Sequence, residues 1–107
     1  MLKQGGWRGF PSGREKVAIE LALSKEEIEA RYDLAFIFGS DSLGKAHSTY
    51  FNDELLGPVS IVCYEKSPHG MAIVYVDSRV DLEVAVPRLL AVFDLDPALV
   101  NAPKNSP

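Results

Sequence analysis

The feature that most constrains this chain is a pair of β-rich apolar runs separated by a short turn. The runs are "PVSIVCYE" at 58–65 and "MAIVYVDS" at 71–78, and the turn "KSPHG" between them contains a proline and a glycine. Two such runs around such a turn predict an antiparallel β-hairpin. Because both runs are almost continuously apolar, we expect the hairpin to lie at the centre of the sheet, with both faces covered or nearly so.

A strand is predicted before this hairpin, at "KVAIELAL". Its apolar residues alternate with the others, which indicates a strand with one buried side. The residues expected on the buried side are Val17, Ile19, Leu21 and Leu23.

A helix is predicted next, at "SKEEIEARYDL". Ser24 and Glu27 have the spacing of a capping box, so the helix should begin at about residue 25. We expect it to end near Asp33 and to be followed by a short strand in "LAFIF", although residues 33–38 also keep a helical spacing.

The segment "VDLEVAVPRLLAVF" carries apolar residues at helical spacing. Pro87 lacks an amide proton and its ring clashes one turn back, so the helix should start close to Pro87 or be kinked there. In "DLDPALV", Asp96 as N-cap and Pro97 at the first helical position predict a short last turn.

The order of these elements predicts an α+β fold. From Ser40 to Gly57 the pattern is mostly polar, and only a short segment around Tyr50 and Phe51 is expected to be regular. Strand, helix, short strand, hairpin and helix together predict a small, mainly antiparallel sheet with helices packed on one face. The 107 residues and 47% hydrophobic content are those of one globular domain.

We predict a single domain at 15–101, preceded by a loose basic arm at 1–14 and followed by a disordered tail at 102–107. Trp7 and Phe10 in the arm either fold back onto the domain, which we favour, or anchor a partner. No apolar run is long enough to span a membrane. The first residues lack the apolar core of a signal peptide, which predicts a cytoplasmic protein.

The residues that most often perform catalysis give no catalytic pattern. Cys63 is the only cysteine and lies in an apolar run, so we predict a buried, unreactive thiol rather than a disulfide or a metal ligand. The two histidines, His47 and His69, have no partner at a spacing that would make either a general base. We therefore predict no catalytic residue, no metal site and no cofactor.

One loop nevertheless has the spacing of a phosphate-binding site. Gly39, Gly44 and Lys45 form G-x-x-x-x-G-K, the spacing of the Walker A loop. Ala46 stands where that loop has a magnesium-binding hydroxyl, and "AHSTYFND" after the lysine is a poor helix former. We interpret the segment as a glycine-containing turn. The alternative is a nucleotide- or phosphate-binding enzyme that uses the Gly39–Lys45 loop.

The same region supports a second enzyme hypothesis. "FGS" followed about a dozen residues later by acidic residues resembles the start of the minimal nucleotidyltransferase pattern. That family needs two carboxylates alternating on one strand, so that both face the same pair of metal ions. Asp53 and Glu54 are adjacent and would point to opposite faces of a strand, with Asp77 available as a third acid. The sequence thus departs from the family in the residues that do the chemistry.

Charge gives the leading functional hypothesis. Residues 1–16 sum to +3, whereas residues 17–103 hold six basic and fourteen acidic side chains, which sum to −8. A domain so acidic repels nucleic acid and favours a basic protein, since complementary charge accelerates association.

We therefore predict a non-catalytic bacterial protein-binding module of the immunity or inhibitor type, which neutralises a basic protein such as a nuclease toxin. The expected partner-binding residues are Asp41, Tyr50, Phe51, Asp53 and Glu54. A second alternative is a structural module that forms a homodimer through the apolar hairpin edge. The acidic residues of the predicted contact surface could equally be the solvated surface that any soluble domain carries.

Overall fold

The computed structural model describes residues 15–41, 44–64, 72–95, 98 and 100–101. Its elements are, in chain order, β1 (Glu15–Leu21), α1 (Lys25–Tyr32), β2 (Ile37–Asp41), β3 (Gly44–Asp53), β4 (Gly57–Tyr64), β5 (Ala72–Asp77), α2 (Leu82–Phe93) and β6 (Val100–Asn101). The strands form one antiparallel sheet in the order β2-β3-β4-β5-β1-β6. A small mixed fold with an antiparallel sheet is therefore confirmed. The predictions for the arm at 1–14, the last turn at Asp96 and Pro97 and the tail at 102–107 lie outside the described residues.

The central hairpin is formed by β4 and β5, as the sequence predicts. Val59 pairs with Val76 and Ile61 with Val74, and all four side chains are completely buried. On the opposite face Val62 and Ile73, which pair with each other, are only half-buried. The hairpin is thus central in the sheet, but only one of its faces is fully covered.

Helix α1 begins and ends as its sequence predicts. Ser24 Oγ accepts a hydrogen bond from the Glu27 amide at 3.1 Å, and Glu27 Oε1 accepts one from the Ser24 amide at 3.0 Å. Asp33 adopts the left-handed conformation (φ 55°), and its amide donates to the Glu29 carbonyl at 3.1 Å. The reciprocal cap at the start and the left-handed residue at the end fix the length of the helix.

Strand β1 differs from strict alternation. Its register with β5 shifts between Val17 and Ile19, where the pairing is irregular. Ala18 and Ile19 are consequently both fully buried, whereas Val17 is 36% exposed. The prediction that Val17 lies on the buried side is therefore wrong, because an extra residue in one strand reverses the alternation.

Strand β3 is the main element that the sequence pattern does not reveal. It spans ten residues, from Gly44 to Asp53, and pairs with both β2 and β4. Thr49 and Phe51 face the buried side, while Tyr50 faces the half-exposed side. Threonine and aromatic residues favour strands, but in β3 they do not form the continuous apolar run that indicates a buried strand.

Helix α2 passes through Pro87 instead of starting beside it. It begins at Leu82, and the Asp81 carboxylate caps it by accepting a hydrogen bond from the Glu83 amide at 2.9 Å. Pro87 removes the hydrogen bond that would reach the Glu83 carbonyl, and both residues are exposed to water, which can satisfy that carbonyl. The N-cap and the buried face of the helix outweigh one missing bond.

The core joins the two helices to the sheet through three aromatic rings. The Phe93 ring centroid of α2 lies 5.9 Å from that of Phe51 in β3 and 5.2 Å from that of Tyr32 in α1. The Tyr32 hydroxyl donates to the Phe93 carbonyl at 2.7 Å. Edge-to-face packing of this kind stabilises beyond simple burial, and the hydrogen bond satisfies a buried hydroxyl.

Candidate partner-binding surface

The glycine loop lies in an antiparallel hairpin rather than at the start of a helix. Gly39 of β2 pairs with Ala46 of β3, and Asp41 pairs with Gly44, which has a positive φ of 123°. Lys45 lies in strand β3, which continues to Asp53. A Walker loop binds phosphate with the amides at the N-terminus of a helix that directly follows the lysine. That geometry is missing at Lys45.

The five residues predicted to bind a partner occupy different environments. Asp41 ends β2, and its side chain lies outside the described part of the structure. Tyr50 is half-buried, with its hydroxyl 3.3 Å from Ser48 Oγ, and Glu54 is exposed in the turn after β3. These positions leave Tyr50 and Glu54 accessible to a partner.

Phe51 belongs to the core. Its side chain is 2% exposed and packs against Phe93. A partner could reach this ring only by opening the domain. Phe51 must therefore be removed from the predicted contact surface, because on β3 it points to the face opposite that of Tyr50.

Asp53 is a structural residue that ties the β3–β4 turn to α2. Arg88 donates to it from Nε, at 3.2 Å to Oδ1 and 3.0 Å to Oδ2, and from Nη2, at 2.9 Å to Oδ1. The amides of Leu55 and Leu56 each donate to Asp53 Oδ2 at 3.0 Å. With its side chain only 6% exposed, this carboxylate is occupied by the protein itself.

These bonds also set the acidity of Asp53. Burial by itself raises the pKa of the carboxyl, but the hydrogen bonds from Arg88 and the two turn amides outweigh it and hold the pKa below its ordinary value. Asp53 is therefore ionised at neutral pH, and its charge is compensated locally. It contributes little to the field that a distant partner would experience.

The carboxylates of the nucleotidyltransferase pattern do not converge. Asp77 is 3% exposed and binds Arg79, with Nη2 3.2 Å from Oδ2, while Asp53 binds Arg88. Among the described residues no three histidine, cysteine or acidic side chains lie close enough to hold a metal ion. The two acids are thus held by separate arginines.

A shallow groove lies beside strand β2, at the edge of the sheet. Its volume is about 260 Å³. The lining residues are Ile37, Phe38, Gly39, Ala46, Ser48, Tyr50 and Val62. Ile37 is 61% exposed and Phe38 53%, and the Phe38 ring centroid is 4.9 Å from that of His47. We call Ile37, Phe38 and Tyr50 the edge patch.

The edge patch combines one predicted contact residue with two that the sequence did not indicate. Ile37 and Phe38 lie in "LAFIF", which is predicted to be a short buried strand, with the end of a helix as the alternative. Consecutive strand residues point to opposite faces, so both can be exposed only where the strand is at the edge and neither face is covered. That position depends on the pairing order of the strands.

A second, more open cleft lies between the β3–β4 turn and the start of α2. Its volume is about 570 Å³, and it is lined by residues 54–58, 77, 79 and 80. Glu54 opens onto it, opposite the Arg79 side chain held by Asp77. Its walls carry charges of both signs, so it favours no single class of ligand.

The described part of the chain has an acidic surface. The described residues include six basic and thirteen acidic side chains, a net charge of −7. Three of the six bases form ion pairs, namely Lys25 with Glu29, Arg79 with Asp77 and Arg88 with Asp53. Most of the exposed carboxylates lie on or beside the two helices.

Comparison of the chain with protein-family models, with curated proteins and with solved structures found no match. Neither of the two helices that the structure describes has the length and apolar character needed to cross a membrane. Fold and surface chemistry are therefore the basis for a functional assignment.

Proposed function

We propose that this protein is a non-catalytic binding module of the immunity or inhibitor type, and that it binds a basic protein through the edge patch. The observation that carries the proposal is the exposure of two consecutive large apolar side chains, Ile37 and Phe38, on the edge strand of an acidic domain. Edge strands usually carry charge or proline to prevent unwanted pairing. Strand β2, "IFGSD", has neither at its apolar end.

We further infer that both helices pack on the same face of the sheet. Phe93 of α2 contacts Phe51 on the buried face, and Tyr32 of α1 contacts Phe93. Burial raises the pKa of Cys63, on that same face, and Glu26 of α1 acts on it in the same direction, which supports a position of α1 over β4. This arrangement leaves β2 beyond the cover of the helices.

The two parts of the surface have different roles in the proposed complex. The edge patch supplies apolar and aromatic area, and such side chains at the centre of an interface contribute most of the affinity. The net charge of −4 attracts a cationic partner and accelerates its association without fixing its orientation. Of the predicted contact residues, Tyr50 belongs to the edge patch, whereas Glu54 lines the second cleft.

The experiment that tests the proposal uses the immobilised 107-residue protein to capture partners from extract of its native cell at low salt. We expect a basic protein, released by high salt, whose purified form binds with a Kd that rises in the Ile37→Ser/Phe38→Ser variant. Val84→Ser is the matched control, because Val84 is a 45% exposed apolar residue on α2 and does not line the groove beside β2. A partner of acidic charge, or equal binding by the edge-patch and Val84 variants, would contradict the proposal.

A nucleotide assay separates this proposal from the enzyme alternative. If Gly39, Gly44 and Lys45 bound phosphate, Mg-ATP would raise the melting temperature, and Lys45→Ala would abolish the increase. We expect no increase in either protein, because these residues lie on paired antiparallel strands. An increase that depends on Lys45 would favour the enzyme.

The hairpin edge predicted for a homodimer is not free, because β4 of the hairpin pairs with β3 and β5 pairs with β1. A homodimer would instead have to use the edge strand β2. Within the described sheet β2 pairs on one side only, with β3, so a second copy could add to its other side. Sedimentation of the purified protein tests this directly. A dimer that Phe38→Ser dissociates would favour self-association over binding of a different protein.

A further inference from the structure

The face of the sheet opposite the core is lined by aliphatic and aromatic side chains and is incompletely covered. In β1, β4 and β5 the register places Val17 beside Tyr75, and Val62 beside Ile73. Val17 is exposed and the other three are half-buried, whereas the residues between them on the opposite face are fully buried. We call Val17, Val62, Ile73 and Tyr75 the open face.

An antiparallel sheet with one solvated face normally presents polar side chains there. Besides the polar Ser60 and Glu20, this side of the sheet presents two β-branched aliphatic residues and a tyrosine on neighbouring strands β5 and β1. Contiguous apolar surface of this kind is costly to expose and indicates a covering segment. The chain itself supplies one, because the polypeptide enters the sheet here, at Glu15.

The segment that precedes Glu15 has the right composition and length. It contains Trp7 and Phe10, two large aromatic residues in a stretch otherwise rich in glycine and charge. Five and eight residues of extended chain reach about 17 and 28 Å, while β4 lies only two strand spacings, about 10 Å, from β1. Ile73 pairs with Glu20, so the far end of the open face also lies about 17 Å along the strand from Glu15. Trp7 can therefore reach any residue of the open face, and Phe10 can reach Val17 and Tyr75. The segment 102–107, "APKNSP", has no aromatic residue.

Charge favours the same occupant. Residues 1–14 carry Lys3, Arg8 and Arg14 and no acid, whereas the described residues sum to −7. Glu20 pairs with Ile73 and so lies on the open face. A cationic segment with two aromatic rings thus complements an apolar face with acidic residues beside it.

We propose that residues 1–14 pack across the open face, with Trp7 and Phe10 against Val17, Ile73 and Tyr75. The contact closes the second side of the sheet from within the same chain. It uses other residues than the partner-binding proposal, although Val62 of the open face also lines the groove beside the edge patch.

Trp7 is the only tryptophan in the chain, so its fluorescence reports this contact without labelling. In the full-length protein we expect emission shifted to shorter wavelength, and acrylamide quenching well below that of the chain unfolded in urea. Val17→Ser and Tyr75→Ser should each shift emission to longer wavelength and raise the quenching constant towards the unfolded value. Val84→Ser, on α2, should leave both unchanged.

Three results would overturn the proposal. Trp7 could be as accessible in the native protein as in urea, or it could be protected but insensitive to both open-face variants. It could also become protected only at concentrations where sedimentation detects a dimer, which would make a second copy the occupant. Far-UV circular dichroism identifies a variant that has unfolded. Val17→Ser is the safer of the two, because Val17 is already 36% exposed.

Discussion

Asp53 is predicted to be the charged residue on which the stability of the fold depends most. Its carboxylate accepts bonds from Arg88 and from the amides of Leu55 and Leu56, at 2.9 to 3.2 Å. A hydrogen bond to a charged group contributes about 1.5–3 kcal/mol. Removal of the carboxylate also leaves the amides of Leu55 and Leu56 without their acceptor. Since Leu55 is exposed and water can reach that turn, we expect Asp53→Ala to lower the free energy of unfolding by about 2–4 kcal/mol.

The assay is urea unfolding followed by circular dichroism at pH 7, with the neighbouring exposed carboxylate as the control. Glu54→Gln should change the free energy of unfolding by less than about 0.5 kcal/mol, as is usual for exposed positions. Asp53→Asn keeps an oxygen that can accept from the turn amides but loses the charge. Its effect on the free energy of unfolding should therefore lie between those of Glu54→Gln and Asp53→Ala. Arg88→Met combined with Asp53→Asn should be non-additive, because the two residues share one interaction.

The pH dependence gives a second test of the same reasoning. The pKa of Asp53 is lower in the folded protein than the value of about 3.9 for an unfolded chain. The stabilisation that ionised Asp53 provides is therefore complete above the pKa of the unfolded chain. It is lost as the pH falls through the pKa that Asp53 has in the folded protein. The stability gap between wild type and Asp53→Asn should narrow below about pH 4. A gap that persists undiminished there, or an Asp53→Ala effect no larger than that of Glu54→Gln, would refute the reasoning.

Three further predictions follow from burial and capping. Phe51→Ala should cost about 3–5 kcal/mol in urea unfolding, because it opens a cavity beside Phe93, whereas Phe38→Ala should cost less than about 1 kcal/mol. Ser24→Ala should cost about 1 kcal/mol in the same assay through loss of the N-cap of α1. Burial raises the pKa of the Cys63 thiol to about 11. At pH 8 a thiol reagent should therefore modify the folded protein about 100-fold more slowly than the unfolded chain, and faster as the pH rises.

The sequence was sufficient wherever one local interaction determines the structure. The capping box of α1 needs only Ser24 and Glu27, and the central hairpin needs two apolar runs and a turn. It was insufficient where two local tendencies compete. Pro87 opposes a helix that Asp81 caps and that a buried face stabilises, and the pattern alone does not say which prevails.

The candidate site was less predictable than the fold, because exposure depends on partners distant in sequence. Asp53 looked like a surface acid, yet its partner Arg88 is 35 residues away. The sequence predicts Phe51 as a contact residue, because the mostly polar pattern of residues 40–57 hides the ten-residue strand β3 that directs this ring into the core. Ile37 and Phe38 looked buried, and only the pairing order of the strands places them at the edge.

Salt concentration separates the two uses of the edge patch that the fold allows. The net charge of −4 keeps copies of the chain apart while it attracts a cationic protein. At 1 M salt the screening length falls to about 3 Å, so both effects weaken. Binding of a basic partner should then become weaker, whereas pairing of two β2 edges should become stronger. The test measures sedimentation of the isolated protein and the Kd for the partner, each at low and high salt, with wild type and Ile37→Ser/Phe38→Ser. Self-association should increase with salt, whereas affinity for the partner should decrease. If the Kd for the purified partner did not change with salt concentration, the acidic surface would have no part in recognition, and the charge argument for a basic partner would fail.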